Sequence, residues 1–456
     1  MWLKKALVGW VFGLSALANA VVVIPDPGLE AAIRETLHKW EGEITIADLE
    51  RITELEALGR GIETIVGLEH AVSLKRLDLS VNRIFDLTPL SELVNLEELA
   101  LTANRIVDLK PLSKLKNLRT LTLDFNQIVD LSPLAALTRL EALSLAGNRI
   151  RQIGPLSRLI ELQFLNLMMN EVVDLTPLSG LLKLKILLLS GNNVVDIRPL
   201  SNLKGLAWLV LDGNVVLDLT PIANMNELQW FSAKGCLIAD VEPLANLKKL
   251  ERLDLSFNAI DDISPLANLG SLRELNLAGN EISDVSPLSN LKELRTLDLS
   301  NNAIADLKPL ANLVNLEVLD ISGNRVMDLG PLGQLKNLTK LFAQENRISD
   351  LAPLKELSRL RTLNLQANRI KNIEPLSNCI DLRDLLLGGN MVVDISALAN
   401  LKELEILDLS SNSIGDFSPL LKLYNLRLLN VMGMLLDDED KKVLERLEAR
   451  GVLIIR

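Results

Sequence analysis

The stretch Leu74-Lys75-Arg76-Leu77-Asp78-Leu79-Ser80-Val81-Asn82-Arg83-Ile84-Phe85-Asp86-Leu87-Thr88-Pro89-Leu90 is one copy of a phrase that recurs every 22 residues. Asparagine holds its ninth place at Asn82, Asn104, Asn126, Asn148, Asn170, Asn192 and Asn214, then from Asn258 through Asn412, with Cys236 the single departure. A fixed period of this length marks a stacked array in which each copy contacts its neighbours and all share one core. In Leu77-Asp78-Leu79 the side chains alternate, so the leucines point inward and Asp78 outward on a short strand. Successive copies set such strands in parallel, about 4.8 Å apart, and align their outward residues into columns. Where the chain then turns inward, backbone groups lose their ladder partners, and a buried carboxamide can both donate to and accept from them.

Proline forms a second ladder seven residues after the asparagine, from Pro89 to Pro419, broken only by Ala397. A hydroxyl residue such as Thr88 or Ser132 in front of it predicts an N-cap followed by proline at the first position of a helical turn. The expected fold is α/β: a leucine-rich repeat solenoid (horseshoe) with a parallel concave β-sheet, short helical turns on the convex side, and a helical cap at each end.

Residues 1–20 read as a secretory signal peptide, with Lys4 and Lys5, an apolar run from Ala6, and Ala18-Asn19-Ala20 as a small-x-small site. Residues 21–76 read as an N-terminal cap with a degenerate first repeat, in which Leu29, Ile33, Leu37 and Trp40 give an apolar stripe and Arg60 stands at the asparagine place. Repeats then occupy 77–434, and 435–456 forms a C-terminal cap whose helix starts at Asp437 and stops before Gly451. The expectation is a soluble extracytoplasmic protein, secreted or periplasmic, with no membrane span after signal cleavage and no appended domain. Without the leader the chain carries 46 basic against 59 acidic residues, which argues against nucleic acid as a partner. Cys236 and Cys379 lie too many repeats apart for a disulfide and read as small buried residues.

The opening Ile24-Pro25-Asp26-Pro27-Gly28-Leu29-Glu30-Ala31-Ala32-Ile33, the phrase Ile44-Thr45-Ile46-Ala47-Asp48-Leu49 and the recurrent Asp-Leu-x-Pro-Leu resemble those of bacterial internalin-type proteins. The resemblance implies a secreted or surface-attached protein that holds a protein receptor on the concave face. Two parts common in that family, an immunoglobulin-like module and a wall anchor, are not visible in this sequence.

Specificity in such an array can reside only in the outward columns, because the inward ones are committed to packing. The column before the first strand leucine reads Phe164, Ile186, Trp208, Trp230, flanked by Thr120, Ala142, Arg252 and Glu274. Leu188 and Val210 extend it in the next column and Met168 and Met169 beyond that, with Asp212 and Lys234 as a polar rim. Apolar patches rich in tryptophan are typical binding hot spots. The expected partner is therefore a protein held through Phe164, Met168, Ile186, Leu188, Trp208, Val210, Asp212 and Trp230. A homodimer interface or an envelope polysaccharide stacked on the tryptophans are the alternatives. Asp254, Asn276, Asp298 and Asp320 share another outward column, read as solvated or bonded to nearby serines, with a shared cation as the other possibility. Arginines after the asparagine, at Arg83, Arg105 and Arg149 and at Arg325, Arg347 and Arg369, form two basic patches read as surface charge or a contact for an acidic glycan or protein. The two histidines, His38 and His70, both precede the repeats, and no His/Cys cluster has ligand spacing, so neither catalysis, metal nor cofactor is expected.

Overall fold

The computed structural model describes residues 20–456; the expected leader lies, apart from Ala20, outside the described residues. The chain divides into two compact units, Met1–Val216 and Leu217–Arg456. The first contains helix α1 (Pro27–Leu37), the single turn α2 (Ile46–Leu49) and three-residue strands running from Glu54–Glu56 to Trp208–Val210. Each strand pairs in parallel with the next at an offset of one repeat, as in Leu55↔Leu77 and Leu187↔Leu209. The second unit repeats this from Trp230–Ser232 to Leu428–Asn430, then adds helix α3 (Asp438–Glu448) and a last strand, Leu453–Ile455, parallel to Leu428–Asn430. Both units have the architecture of a leucine-rich repeat solenoid. The middle residue of each strand but the last, such as Leu143 or Leu363, is buried in the core.

The asparagines occupy the corner where each strand ends. In Asn280 the amide Nδ2 donates to the carbonyls of Leu255 (3.0 Å), Leu277 (2.9 Å) and Ala278 (3.3 Å). Its Oδ1 accepts the N–H of Ile260 in the preceding repeat at 3.1 Å. One side chain thus satisfies four backbone groups in two repeats, in a place almost closed to water. Where the corner holds Arg60 or Cys236 instead, the next asparagine also takes that residue's N–H, Asn82 from Arg60 and Asn258 from Cys236, each at 3.0 Å. The Cys236 thiol reaches the Lys234 carbonyl at 3.7 Å, a weaker substitute for an amide.

The helical turns opposite the strands are 3-10 turns with proline in their first residues. The expected hydroxyl N-caps are not made: the aspartate two residues earlier accepts the backbone N–H instead, as Asp86 does from Thr88 (2.8 Å), while the threonine hydroxyl donates to the same oxygen (2.6 Å). A carboxylate is the stronger acceptor for an N–H at a helix start, so it displaces the hydroxyl.

A third column went unread in the sequence. The residue just before the asparagine is left-handed in repeat after repeat, at Phe125 (φ 53°) and Phe257 (φ 56°) as at Gly147 and Gly279 (both φ 64°). A side chain at Gly147 would place its Cβ 2.6 Å from the Phe125 ring, and one at Gly279 2.8 Å from that of Phe257, so these two glycines admit an aromatic from the repeat before.

In the N-terminal segment, Asp26 caps α1 by accepting from Gly28 and Leu29, and its other oxygen accepts from Glu63 (2.8 Å), tying the helix to the first repeat. The buried stripe of α1 is Leu29, Ala32 and Ile33. Trp40 does not join it: the helix ends in a left-handed His38, and Trp40, beyond that end, is 67% exposed. Helix α3 carries a reciprocal capping box between Asp437 and Asp440 and buries Leu444 and Leu447.

Replacing Asn280 with alanine strips partners from buried backbone groups, each costing about 1–3 kcal/mol. The variant should lose about 3 kcal/mol in urea denaturation, whereas Asn315→Ala, which loses one exposed bond to Lys292, should lose less than about 1 kcal/mol.

Candidate functional site

Each strand offers its first and third residues to the open face of the sheet. In the first unit this face changes character along its length. Arg76, Glu98 and Thr120 head the early strands, and Arg76 bridges to Glu54 (3.0 Å) and Glu98 (3.3 Å). From the strand Phe164–Asn166 onward the leading column is Phe164, Ile186 and Trp208, with pairings Phe164↔Ile186 and Ile186↔Trp208. Leu188 stands beside them in the third column, and Phe164, Ile186, Leu188 and Met168 are all half-buried. Trp208 is 39% exposed and Met169, in the left-handed column, 58%. Met169 thus offers more surface than Met168 and is part of the same apolar area.

Val210 shares the outward column with Leu188 but is only 6% exposed, so it supports its neighbours more than it offers surface. Asp212 is half-buried and engaged in the fold. Ser190, in the same repeat as Ile186 and Leu188, keeps its Oγ buried without a hydrogen-bond partner.

Trp230 belongs to the second unit, where it is half-buried and faces the Arg252 guanidinium at 5.9 Å from its ring. It walls a shallow hollow of about 320 Å³ whose floor carries Asp254, Asn276 and Asp298. The carboxylates are bound locally: Asp254 accepts from Ser256 N–H and Oγ (2.9 and 2.7 Å), Asp298 from Ser300 N–H (2.9 Å), and Asp320 from Ser322 N–H and Oγ (2.8 and 2.6 Å). Asn276 donates to the second oxygen of Asp254 at 3.2 Å. The column is thus serine-bonded, as its spacing suggested, and no group of three or more His, Cys, Asp or Glu among the described residues is placed to hold a metal ion. Burial pushes the Asp320 carboxyl above its ordinary range, with the Asp298 charge adding to the rise and the Ser322 bonds opposing it.

Both cysteines are buried. Cys379 replaces a core leucine, donates to Leu354 O at 3.5 Å, and burial pushes its thiol up to about 11. Neither His38, at the end of α1, nor His70 lies on the repeat face.

A family model described as leucine-rich repeats (2 copies) matches residues 94–136, 226–268, 271–312, 314–356 and 380–422. Among solved structures, an internalin (inlF) from Listeria monocytogenes is 33% identical over 85% of this chain and 96% of its own, with a TM-score of 0.48. Internalin C2 of the same organism is 37% identical over 46% of this chain and 95% of its own, with a TM-score of 0.46. The functional domain of Listeria monocytogenes InlJ is 21% identical over 81% of this chain and 80% of its own, with a TM-score of 0.70. The first two likenesses are ones of sequence; the third is one of fold. The comparison with curated proteins found no match.

Two outcomes follow from the titrating groups. A raised folded pKa means that Asp320 gives its full contribution below the unfolded value and loses it as pH rises through the folded one. Thermal midpoints of wild type and Asp320→Asn should therefore coincide below the ordinary aspartate value, at about pH 3, and the variant should melt higher at pH 7. Cys379 should resist iodoacetamide in the folded protein at pH 8, where about one thiol in a thousand is ionised, and react once urea unfolds the chain.

Proposed function

Since the chain belongs to the internalin-type leucine-rich repeat proteins, we propose that it is an extracytoplasmic binding protein that holds a protein partner on the open face of its sheet. The observation that carries this reading is the apolar area of Phe164, Met168, Met169, Ile186, Leu188 and Trp208, which follows early strands headed by Glu54, Arg76, Glu98 and Thr120. Large apolar side chains left partly in water, with a tryptophan among them, are what a protein hot spot requires. Val210 braces this area from below, and Asp212 lies at its margin. Trp230, in the second unit, faces Arg252 beside a hollow lined by Leu253, Asp254, Leu275 and Asn276, and is a separate candidate contact.

The extracytoplasmic setting rests on the leader reading of residues 1–20. Among the described residues no helix is long and apolar enough to cross a membrane. Segments 21–76 and 435–456 serve as caps of the array in this reading. Its mode of action is adhesion or capture, with no bond made or broken.

The test is differential capture from the extracytoplasmic fraction with wild type and with a Trp208→Ala, Ile186→Ala variant, followed by calorimetry with the purified protein recovered. Each replacement should weaken that complex by about 2 kcal/mol while leaving the melting temperature nearly unchanged. Equal retention by both would overturn the reading, and recovery of the protein itself would replace it with self-association.

A further inference from the structure

Just past each asparagine the chain follows a second regular course, away from the sheet. In the repeats of Asn324, Asn346 and Asn368 the next residue is Arg325, Arg347 or Arg369, and its N–H donates to Ile304 O, Val326 O or Ile348 O of the preceding repeat, each at 2.9 Å. The residues after them, Val326, Ile348 and Ile370, are fully buried and give their N–H groups to the next asparagine carboxamide. The backbone is therefore pinned, and the three exposed guanidinium groups stand in file at about one strand spacing, 4.8 Å. None of them, nor Lys371, has a carboxylate within salt-bridge reach among the described residues. Beside the sheet some basic residues are mated, as in Arg295–Glu317 at 3.0 Å and Arg252–Glu274 at 3.3 Å.

The charge pattern of this flank is not a by-product of the turn. Four residues after the corner, from Asp86 to Asp416, the chain has aspartate in every repeat except at Gln152 and Asn372. Those two repeats are also the only ones with a basic residue one place earlier, Arg151 and Lys371. Asn372 performs the structural task of the aspartate, accepting the Glu374 N–H at 2.9 Å as Asp350 accepts that of Ala352 at 2.9 Å. The turn is kept while its negative charge is removed and a positive one added beside it.

We infer that Arg325, Arg347, Arg369 and Lys371 form a binding strip for a linear glycan bearing sulfate or phosphate groups. Guanidinium groups bind such oxyanions in a two-pronged fashion, and a file of them suits a polymer with repeated charges. The flank lacks the means for other partners. Its large apolar side chains are Met327 and, at the end of the file, Met391 and Val393, scattered and without a tryptophan or tyrosine anchor, and it has no aromatic ring on which a nucleic acid base could stack. Its inter-repeat N–H groups are already used, which closes it to strand addition. The acidic neighbours Asp328, Asp350, Glu345 and Glu374 and a net charge of −11 on the chain confine attraction to the strip and make it salt-sensitive. The strip is independent of the apolar face and stands whether or not that face binds a protein.

The test is fluorescence anisotropy with a labelled heparin oligosaccharide, and in parallel a 20-nucleotide single-stranded DNA, about the length of chain the strip could engage several times over. Wild type should bind the heparin fragment. The Arg325→Gln, Arg347→Gln, Arg369→Gln variant should bind at least about tenfold more weakly, with the slope of log affinity against log salt reduced by about 2. Asn372→Asp, which restores the aspartate used by the other repeats, should weaken binding about threefold with an unchanged melting curve. Arg295→Gln should leave binding as it is. Absence of binding by wild type, equal binding by the triple variant, or DNA bound as tightly as heparin would each overturn the inference.

Discussion

The whole molecule depends on a carboxamide that is buried at a corner. A chain that must turn sharply at the end of every short strand exposes carbonyl and N–H groups to an apolar interior, and a leucine-rich core has nothing to offer them. Asparagine resolves this with one planar group. Its NH2 takes carbonyls of its own repeat and of the one before, and its oxygen takes an N–H of the one before, so each corner is completed by its neighbour. The strands can then be as short as three residues, because the sheet is held at its margin as well as by its own ladder. The aspartate that accepts the first N–H of most of the 3-10 turns does the same service on the far side of the repeat.

Much of this is legible in the sequence because each task falls on one residue type at one spacing. Asn82, Pro89 and the leucines announce corner, turn and core. What escaped reading belongs to interactions that spacing does not name. Thr88 looks like a helix cap until Asp86 is seen to outcompete it for the same N–H. The left-handed column before the asparagine is filled by Phe125 and Phe257 as readily as by Gly147 and Gly279, so composition conceals a shared backbone conformation. Trp40 continues the spacing of Leu29 and Ile33 but lies past the left-handed end of the helix. The strand Leu453–Ile455 follows a helix with no asparagine corner to signal it.

The face of the sheet is legible to a similar degree. Which residues point outward follows from alternation alone, and Phe164, Ile186, Trp208 and Trp230 do occupy one column position. How much of each remains in water depends on the sizes of the side chains around it. That is why Val210 is nearly covered while Met169, outside the strand, is not. The serine partners of Asp254, Asp298 and Asp320 follow from the short reach between a strand's third residue and the residue two places on.

The reciprocity of the asparagine bonds also bears on how an array of this kind can change length. Every such bond joins a residue to its own repeat or to the adjacent one, never farther. Excising or copying one period of 22 residues, from any starting point within the regular array, brings together a corner and a neighbour that already fit. Recombination between repeats therefore meets no forbidden junction in the backbone, and the binding columns can be lengthened or re-phased while the core stays closed.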